Sequence, residues 1–318
     1  MTNPLMLAVP SKGRLEENSA ALFQSIGLPL RRGGTRGYAG KMAHIDNVEI
    51  VYLPAAEIAK RLRDGKLHFG VTGEDLLYES IAELENYIVP LAPLGFGKCD
   101  IVVAVLDGWI DVTHMKDLAE IAGDFRTKHN RRLRVATKYM RLTQDFFAKH
   151  DMLGNYQLVE AFGAIEGAPS SGAADMIVDI TSSGATLKAN QLRVLEDGVI
   201  LQSQATLAAS LTATWDDDTL QAAKRILTML EAYMNADKQR IVQFLSPKSQ
   251  NTDAYNLGEI YQVPSDKLQA FVETMQNETG QNEKYKKAIV SKPDYIFAEQ
   301  SEMFARLMEK LEKQAKAQ

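Results

Sequence analysis

The sequence predicts an α/β fold in two lobes, on three observations. Short apolar runs alternate with helical patterns from Leu5 to Gln202, which calls for crossover units and a largely parallel sheet. The chain has 318 residues, enough for two domains at roughly 150 residues each. Near residues 90–98 the run PLAPLGFGK breaks the alternation with two prolines and two glycines, the texture of a segment crossing between domains.

Taken in order, Leu5–Pro10 (LMLAVP) reads as a buried strand and residues 11–14 as a polar turn. Residues 15–26 read as a helix, with Glu16 and Glu17 in its first turn, where carboxylates suit the helix dipole. Val48–Leu53 is a second strand and Ala55–Arg63 a helix. Residues 69–72 form a short strand that runs through Gly73, Glu74 and Asp75 into another helix. Beyond the crossing, strands are expected at 101–105, 133–136, 158–160, 176–180 and 194–202, and helices at 115–130, 142–150 and from 184. Residues 220–244 read as one helix, with Leu220, Ala223, Leu227, Leu230 and Met234 at core spacing. Two further stripes follow: Leu268, Phe271, Val272 and Met275, then Phe304, Leu307, Met308 and Leu311. With no strong alternating β pattern among them, the C-terminal extension reads as mainly helical.

Composition excludes several classes. At 45% apolar and 24% charged residues the bulk of the chain is not disordered. A net charge of −5 argues against nucleic-acid binding through a broad basic surface. Cys99 is the single cysteine, so an internal disulfide and a cysteine-based zinc cage are excluded, and a reducing cytoplasm is the expected location. Residues 1–11 carry no basic stretch ahead of their apolar run, and no stretch nears 18 apolar residues, so neither a signal peptide nor a membrane span is expected. The five histidines form no i,i+4 pair, so no protein metal site is expected and they read as surface or packing residues. Cys99 reads as a small packing residue rather than a nucleophile.

The chemistry concentrates in Glu166 to Leu187, EGAPSSGAADMIVDITSSGATL. A strand ends at Asp179, and Thr181, Ser182, Ser183, Gly184, Ala185 and Thr186 then open a helix. Glycine lets backbone approach a ligand closely, and hydroxyls with backbone N–H groups at a helix start can surround a phosphate. A carboxylate just ahead of such a loop can accept hydrogen bonds from both hydroxyls of a ribose, so the pair suits a ribose 5-phosphate. An ordinary N-cap turn has the same composition. The loop lacks the Gly-Lys-Ser/Thr ending of a Walker loop and is not a GxGxxG motif.

In context the segment resembles the ATP phosphoribosyltransferase family. The resemblance is carried by Glu166-Gly167, Ala168-Pro169, Gly172-Ala173-Ala174-Asp175, Ile177-Val178-Asp179 and Thr181-Ser182-Ser183-Gly184-Ala185-Thr186-Leu187. Four more segments agree in order: Pro10-Ser11-Lys12-Gly13-Arg14-Leu15, Gly70-Val71-Thr72-Gly73-Glu74-Asp75, Leu94-Gly95-Phe96-Gly97 and Ala136-Thr137-Lys138-Tyr139. Together they span about two-thirds of the chain.

The resemblance implies two α/β domains of the periplasmic-binding-protein type II fold, with the active site in the cleft between them. It divides the chain into a first domain of residues 1–95 plus 190–235, a second of 96–189 and a C-terminal extension of 236–318. The implied reaction joins adenine N1 of ATP to phosphoribosyl pyrophosphate, the first step of histidine biosynthesis, with Mg²⁺ arriving on the substrate phosphates. Asp179 is expected to grip the ribose, with Glu166 as a second carboxylate, while residues 181–186 hold the 5-phosphate. Lys12 and Arg14 are expected to face the pyrophosphate or the ATP phosphates from the opposing domain. Gly73, Glu74, Asp75, Lys138, Tyr139 and Asp175 complete the expected substrate-binding set.

There are departures. The family's Arg-x-x-Asp-Ile-Pro run reads Pro54-Ala55-Ala56-Glu57-Ile58-Ala59, its Cys-Arg reads Cys99-Asp100, and Ala185 stands where the loop usually carries Arg or a similar residue. Arg31, Arg32, Arg36 and Arg61 are the candidates to supply the cation missing at Pro54. The family implies a homo-oligomer and, for its short form, a regulatory subunit resembling histidyl-tRNA synthetase; inhibition by histidine through the extension stays open. The alternatives are a small-molecule binding or regulatory module, or a weakly active paralogue, on the same fold.

Overall fold

The computed structural model describes residues 3–34, 38–161, 163–247, 255–278 and 287–317. In the first lobe β1 (Leu5–Pro10) leads into α1 (Gly13–Ser25), the strands β2 (Leu30–Arg32) and β3 (Ala39–Met42), then β4 (Val48–Leu53), α2 (Ala55–Arg63), β5 (Phe69–Gly73), α3 (Glu74–Ser80) and β6 (Ile88–Pro93). The second lobe holds β7 (Cys99–Leu106), α4 (Met115–His129), β8 (Leu133–Thr137), α5 (Met140–Ala148), β9 (Tyr156–Glu160), β10 (Met176–Thr181), α6 (Ala185–Ala189) and β11 (Leu192–Ser203). The chain then returns as β12 (Ala205–Ser210) and α7 (Asp217–Asp237). The extension adds β13 (Gln239–Pro247), β14 (Tyr255–Pro264), α8 (Leu268–Glu278), β15 (Lys287–Ser291) and α9 (Glu302–Ala317).

The first sheet runs β2-β3-β4-β1-β5-β12-β6. β1 lies parallel to both β4 and β5, as crossover helices require. Its side chains alternate between two cores. Leu5, Leu7 and Val9 pack with Phe23 of α1, Leu227 of α7 and Leu307 of α9, while Ala8 faces Ile58 and Leu62 of α2. Full burial of a leucine such as Leu5 or Leu7 contributes about 2 kcal/mol. The second sheet runs β11-β7-β10-β8-β9, with α4 and α5 on one face and α6 on the other. No helix among the described residues is long and apolar enough to cross a membrane.

Three differences from the expected layout have physical causes. The return to the first lobe lies at Gln204 rather than near Asn190, because β11 stays hydrogen-bonded to β7 through Ser203. The helix expected over 220–244 spans Asp217–Asp237. Asp216 caps its start by accepting from the Thr219 N–H at 2.8 Å. Its C-terminal part becomes β13, where Ile241, Val242, Phe244 and Leu245 suit a strand as well as a helix. Finally, the extension has helices α8 and α9 and also a three-stranded sheet, β14-β13-β15. A register shift between Gln243 and Leu245 breaks the period-two pattern that would have announced β13. The extension is thus two pieces: β13–β15 with α8 around Val242, Phe244 and Val263, and α9 packed back into the first-lobe core.

Candidate active site

Strand register brings the two lobes' key ends together. Gly73 at the end of β5 pairs with Ala205; Ser203 pairs with Cys99; Asp100 pairs with Thr181 at the end of β10. The two crossing links therefore run between the carboxyl ends of β5 and β10, where open α/β sheets bind ligands. Ser11 to Arg14 follow β1, Lys138 follows β8 and residues 181–186 follow β10, all at strand carboxyl ends.

Asp179 is the centre of the second-lobe wall. It is 8% exposed, and its buried Oδ1 has no hydrogen-bond partner among the described residues. The Lys138 ammonium stands 3.8 Å from that oxygen, close enough for attraction and too far for a hydrogen bond. Burial pushes the Asp179 carboxyl up from its ordinary value, opposed by the Ile180 backbone N–H and Lys138, and the charge of Glu166 pushes it up further. Glu166 sits in the helical turn Ile165–Gly167, so the two acids share this corner.

The loop after Asp179 is shaped by its own hydroxyls. The Gly184 N–H donates to Thr181 Oγ1 at 2.9 Å and the Ala185 N–H to Ser183 Oγ at 3.4 Å. Ser182 Oγ donates to the Lys98 carbonyl of the crossing at 3.2 Å. Gly184 has φ +72°, a left-handed conformation, and a Cβ there would meet nothing within 4 Å, so conformation rather than crowding calls for glycine. Ser182, Ser183, Ala185 and Thr186 are exposed, and Thr181 is half-buried.

On the first-lobe wall, Lys12 and Arg14 are exposed. Of the four arginines that could supply the missing cation, Arg32 lies beside this loop. Its guanidinium stacks 3.9 Å above the Tyr52 ring, pairs with Glu16 at 3.0 Å and reaches the Ser11 carbonyl at 3.5 Å. Its Nε is buried with no hydrogen-bond partner among the described residues. Arg61 pairs with Glu57 on its own helix at 2.6 Å, Arg31 lies opposite Lys41 in the β2–β3 ladder, and Arg36 lies outside the described residues.

The other expected residues are placed differently. Asp175 precedes β10, at the far end of that strand from the loop, where Arg131 and Arg134 hold it at 2.6 and 3.2 Å. Burial pushes its carboxyl up, but those hydrogen bonds outweigh burial and hold it well below the usual range. Asp75 and Tyr139 are both buried and turned toward each other, with the Tyr139 hydroxyl donating to Asp75 Oδ2 at 2.8 Å. Ser203 Oγ donates to the other Asp75 oxygen at 2.8 Å. A Cβ on Gly73 would lie 2.2 Å from Asp75 Oδ1, so glycine lets that carboxylate fold back. Glu74 stays half-buried, its carboxyl raised by burial and by the charge of Asp75. Burial and the charge of Asp75 also raise the Cys99 thiol, which disfavours a nucleophilic thiolate. Sequence reasoning missed Glu79, which accepts two backbone N–H groups of α5. Its signal was the four-residue spacing from Asp75, which puts both on one helix face.

The chain is similar to known proteins over most of its length. The family model for ATP phosphoribosyltransferase matches residues 54–232. The chain is 54% identical over 244 residues to the ATP phosphoribosyltransferase of Rhodopseudomonas palustris (strain BisB18), covering 76% of this chain and 75% of that protein. It is 53% identical over 248 residues to the ATP phosphoribosyltransferase of Nitrobacter winogradskyi, covering 78% and 76%. Among solved structures, the ATP phosphoribosyl transferase (HisG:HisZ) complex from Thermotoga maritima overlays 64% of this chain and 87% of its own, at 22% identity and a TM-score of 0.49.

Proposed function

This chain belongs to the ATP phosphoribosyltransferase family, and from that premise we propose how its cleft performs the family's reaction. The enzyme joins ATP to phosphoribosyl pyrophosphate, giving phosphoribosyl-ATP and pyrophosphate, the first step of histidine biosynthesis. A bond forms from adenine N1 to C1 of the ribose. The bond from C1 to the pyrophosphate oxygen breaks, and its electron pair leaves with pyrophosphate. Adenine N1 already carries a lone pair, so no strong general base is required. C1 bears positive charge as the leaving group departs, so the chemistry asks for a held ribose, cations at the leaving group and in-line alignment.

One observation carries the assignment of roles: the buried Oδ1 of Asp179, without a hydrogen-bond partner among the described residues, at the head of a hydroxyl-lined loop. A buried acceptor without a donor is costly, and a ribose hydroxyl supplies the donor. Asp179, with Glu166 beside it, grips the ribose in our reading, and Thr181 to Thr186 receive the 5-phosphate. Lys138 balances the Asp179 charge. Lys12 and Arg14 face the departing pyrophosphate, and Arg32 braces their loop.

Mg²⁺ bound with the substrate phosphates would supply positive charge beside the leaving pyrophosphate. The residues present fit that role: Mg²⁺ held mainly by substrate oxygens and water needs at most one or two carboxylates, and Asp179 and Glu166 are two carboxylates close enough to feel each other's charge. We assign the work to the cytoplasm and to a homo-oligomer. A regulatory subunit resembling histidyl-tRNA synthetase is the alternative assembly.

The test is turnover by the purified chain alone with ATP, phosphoribosyl pyrophosphate and Mg²⁺. Equal amounts of pyrophosphate and the ATP adduct establish a self-sufficient enzyme. Saturable binding of phosphoribosyl pyrophosphate without turnover points to an obligatory partner. Absence of both overturns the assignment of roles.

A further inference from the structure

Two carboxylates one turn apart on α3 hold the second lobe against the first. Glu79 Oε1 accepts from the Arg141 N–H at 3.0 Å and Oε2 from the Leu142 N–H at 3.0 Å. These groups belong to the first turn of α5, whose N-cap residue, Tyr139, provides no side-chain cap. The cap is instead supplied from the other lobe, as a negative charge at the positive end of a helix. The Arg141 guanidinium also reaches the Glu79 carbonyl at 3.4 Å. Asp75, on the same face of α3, receives the Tyr139 hydroxyl at 2.8 Å. Residues 139–142 are thus pinned at both ends to a first-lobe helix, directly after Lys138, the cation that faces Asp179.

We propose that Glu79, with Asp75 and Tyr139, forms a seam that sets the angle between the lobes, which makes Glu79 a positioning residue for the transfer reaction. It acts through α5 and touches no substrate. Charge-assisted bonds to two N–H groups are stiff and directional, so they define an angle where the two crossing links alone would leave a hinge. The inference rests on the reading above, in which the second-lobe loop holds phosphoribosyl pyrophosphate while Lys12 and Arg14 act from the opposite wall. The ribose and 5-phosphate contacts, which hold phosphoribosyl pyrophosphate in the ground state, lie within the second lobe and do not depend on the seam. The first-lobe cations act on the pyrophosphate as it departs. Transfer, which needs both walls at once, does depend on the seam.

The experiment measures kcat, the Kd for phosphoribosyl pyrophosphate by equilibrium titration, and Tm, on the full chain and its Glu79→Gln, Glu79→Ala and Tyr139→Phe variants. Glutamine keeps one acceptor and alanine none, so kcat is expected to fall about tenfold and then further in that order, with Kd within about twofold of wild type. Tyr139→Phe, which loses only the bond to Asp75, is expected to lower kcat in the same way and keeps the test open if the Glu79→Ala chain does not fold. Wild-type kcat in Glu79→Gln and Tyr139→Phe overturns the proposal. So does a loss of affinity that matches the loss in kcat, which would make these residues substrate contacts. Failure of the loop assignment shows separately, as no binding of phosphoribosyl pyrophosphate to the wild-type chain.

Discussion

The two walls of the cleft are built on different principles. The second-lobe wall is buried and held: Asp179 is 8% exposed, and the loop after it is shaped by the Gly184–Thr181, Ala185–Ser183 and Ser182–Lys98 bonds. The first-lobe wall is exposed and cationic, with Lys12 and Arg14 at the surface and their loop braced by Arg32. The difference suits the role proposed for each wall. Hydrogen bonds to ribose hydroxyls are short-ranged and directional, so their acceptor has to be in place beforehand. Attraction between cations and a phosphate chain acts over longer distances and tolerates movement during closure.

The sharpest way to break the comparison is Asp179→Asn. Losing a buried carboxylate with the proposed role of accepting from ribose is expected to lower kcat/KM for phosphoribosyl pyrophosphate about 10³-fold. Its folded pKa is raised, so in the wild type the acid limb of this pH profile is expected above the ordinary aspartate range, and the variant loses that limb. A carboxyl with a raised folded pKa contributes stability fully below its unfolded pKa and loses it as pH rises through the folded value. At pH 8 the Asp179→Asn chain is therefore expected to melt no lower than wild type, despite its lost activity. A variant that is both inactive and less stable would turn the second wall into a packing feature.

The next effect belongs to the opposite wall. Lys12→Ala and Arg14→Ala are each expected to lower kcat about 10²-fold while leaving the Tm unchanged, since both side chains are exposed. High salt should weaken the wild-type reaction through this wall. A drop in Tm without a drop in kcat would remove these residues from the leaving-group site. Ser183→Ala sharpens the contrast within the second wall. It removes one neutral hydroxyl and is expected to cost less than about tenfold in kcat/KM. A loss equal to that of Asp179→Asn would count against the ribose grip.

The smallest effect lies outside the cleft. His68 is buried, accepts from the Met6 N–H at 3.0 Å and meets the Thr214 carbonyl at 2.9 Å, so one nitrogen accepts while the other donates and the ring is neutral. Burial lowers its pKa. The unfolded chain then takes up this proton first, and stability present above about pH 6.5 is lost as pH falls below it, by at most about 1.4 kcal/mol per pH unit. His68→Gln should flatten Tm between pH 7 and pH 5 and leave pH 8 turnover unchanged; an unaltered slope would assign the acid sensitivity elsewhere.

Legibility varied with burial pattern. β1, β4 and α2 matched the sequence reading residue for residue, because each shows a compact apolar run or a helical period next to a turn. β12 was missed. Its six residues, ATLAAS, are all buried and mostly small, so a central strand covered on both faces shows no alternation to detect. β2 and β3 are only three and four residues long, and β2 lies at the sheet edge, so neither shows a pattern long enough to read. In the candidate site, the strand, the loop after Asp179 and the helix start were legible because acid, glycine and hydroxyls are contiguous there. Glu79 was not, because its partners Arg141 and Leu142 lie about 60 residues away.

By itself the sequence determined the strand–helix alternation, the family and the loop that follows Asp179, since each depends on neighbours along the chain. Only the tertiary structure decided that Asp175 belongs to Arg131 and Arg134, that Asp75 and Tyr139 face each other across the lobes, and that Arg32 lies beside the first loop. It also decided that α9 completes the first-lobe core while β13–β15 stand apart. The physical reason is the same in each case. Local pattern specifies which atoms a segment can present, whereas burial and charge pairing depend on which distant segment folds against it.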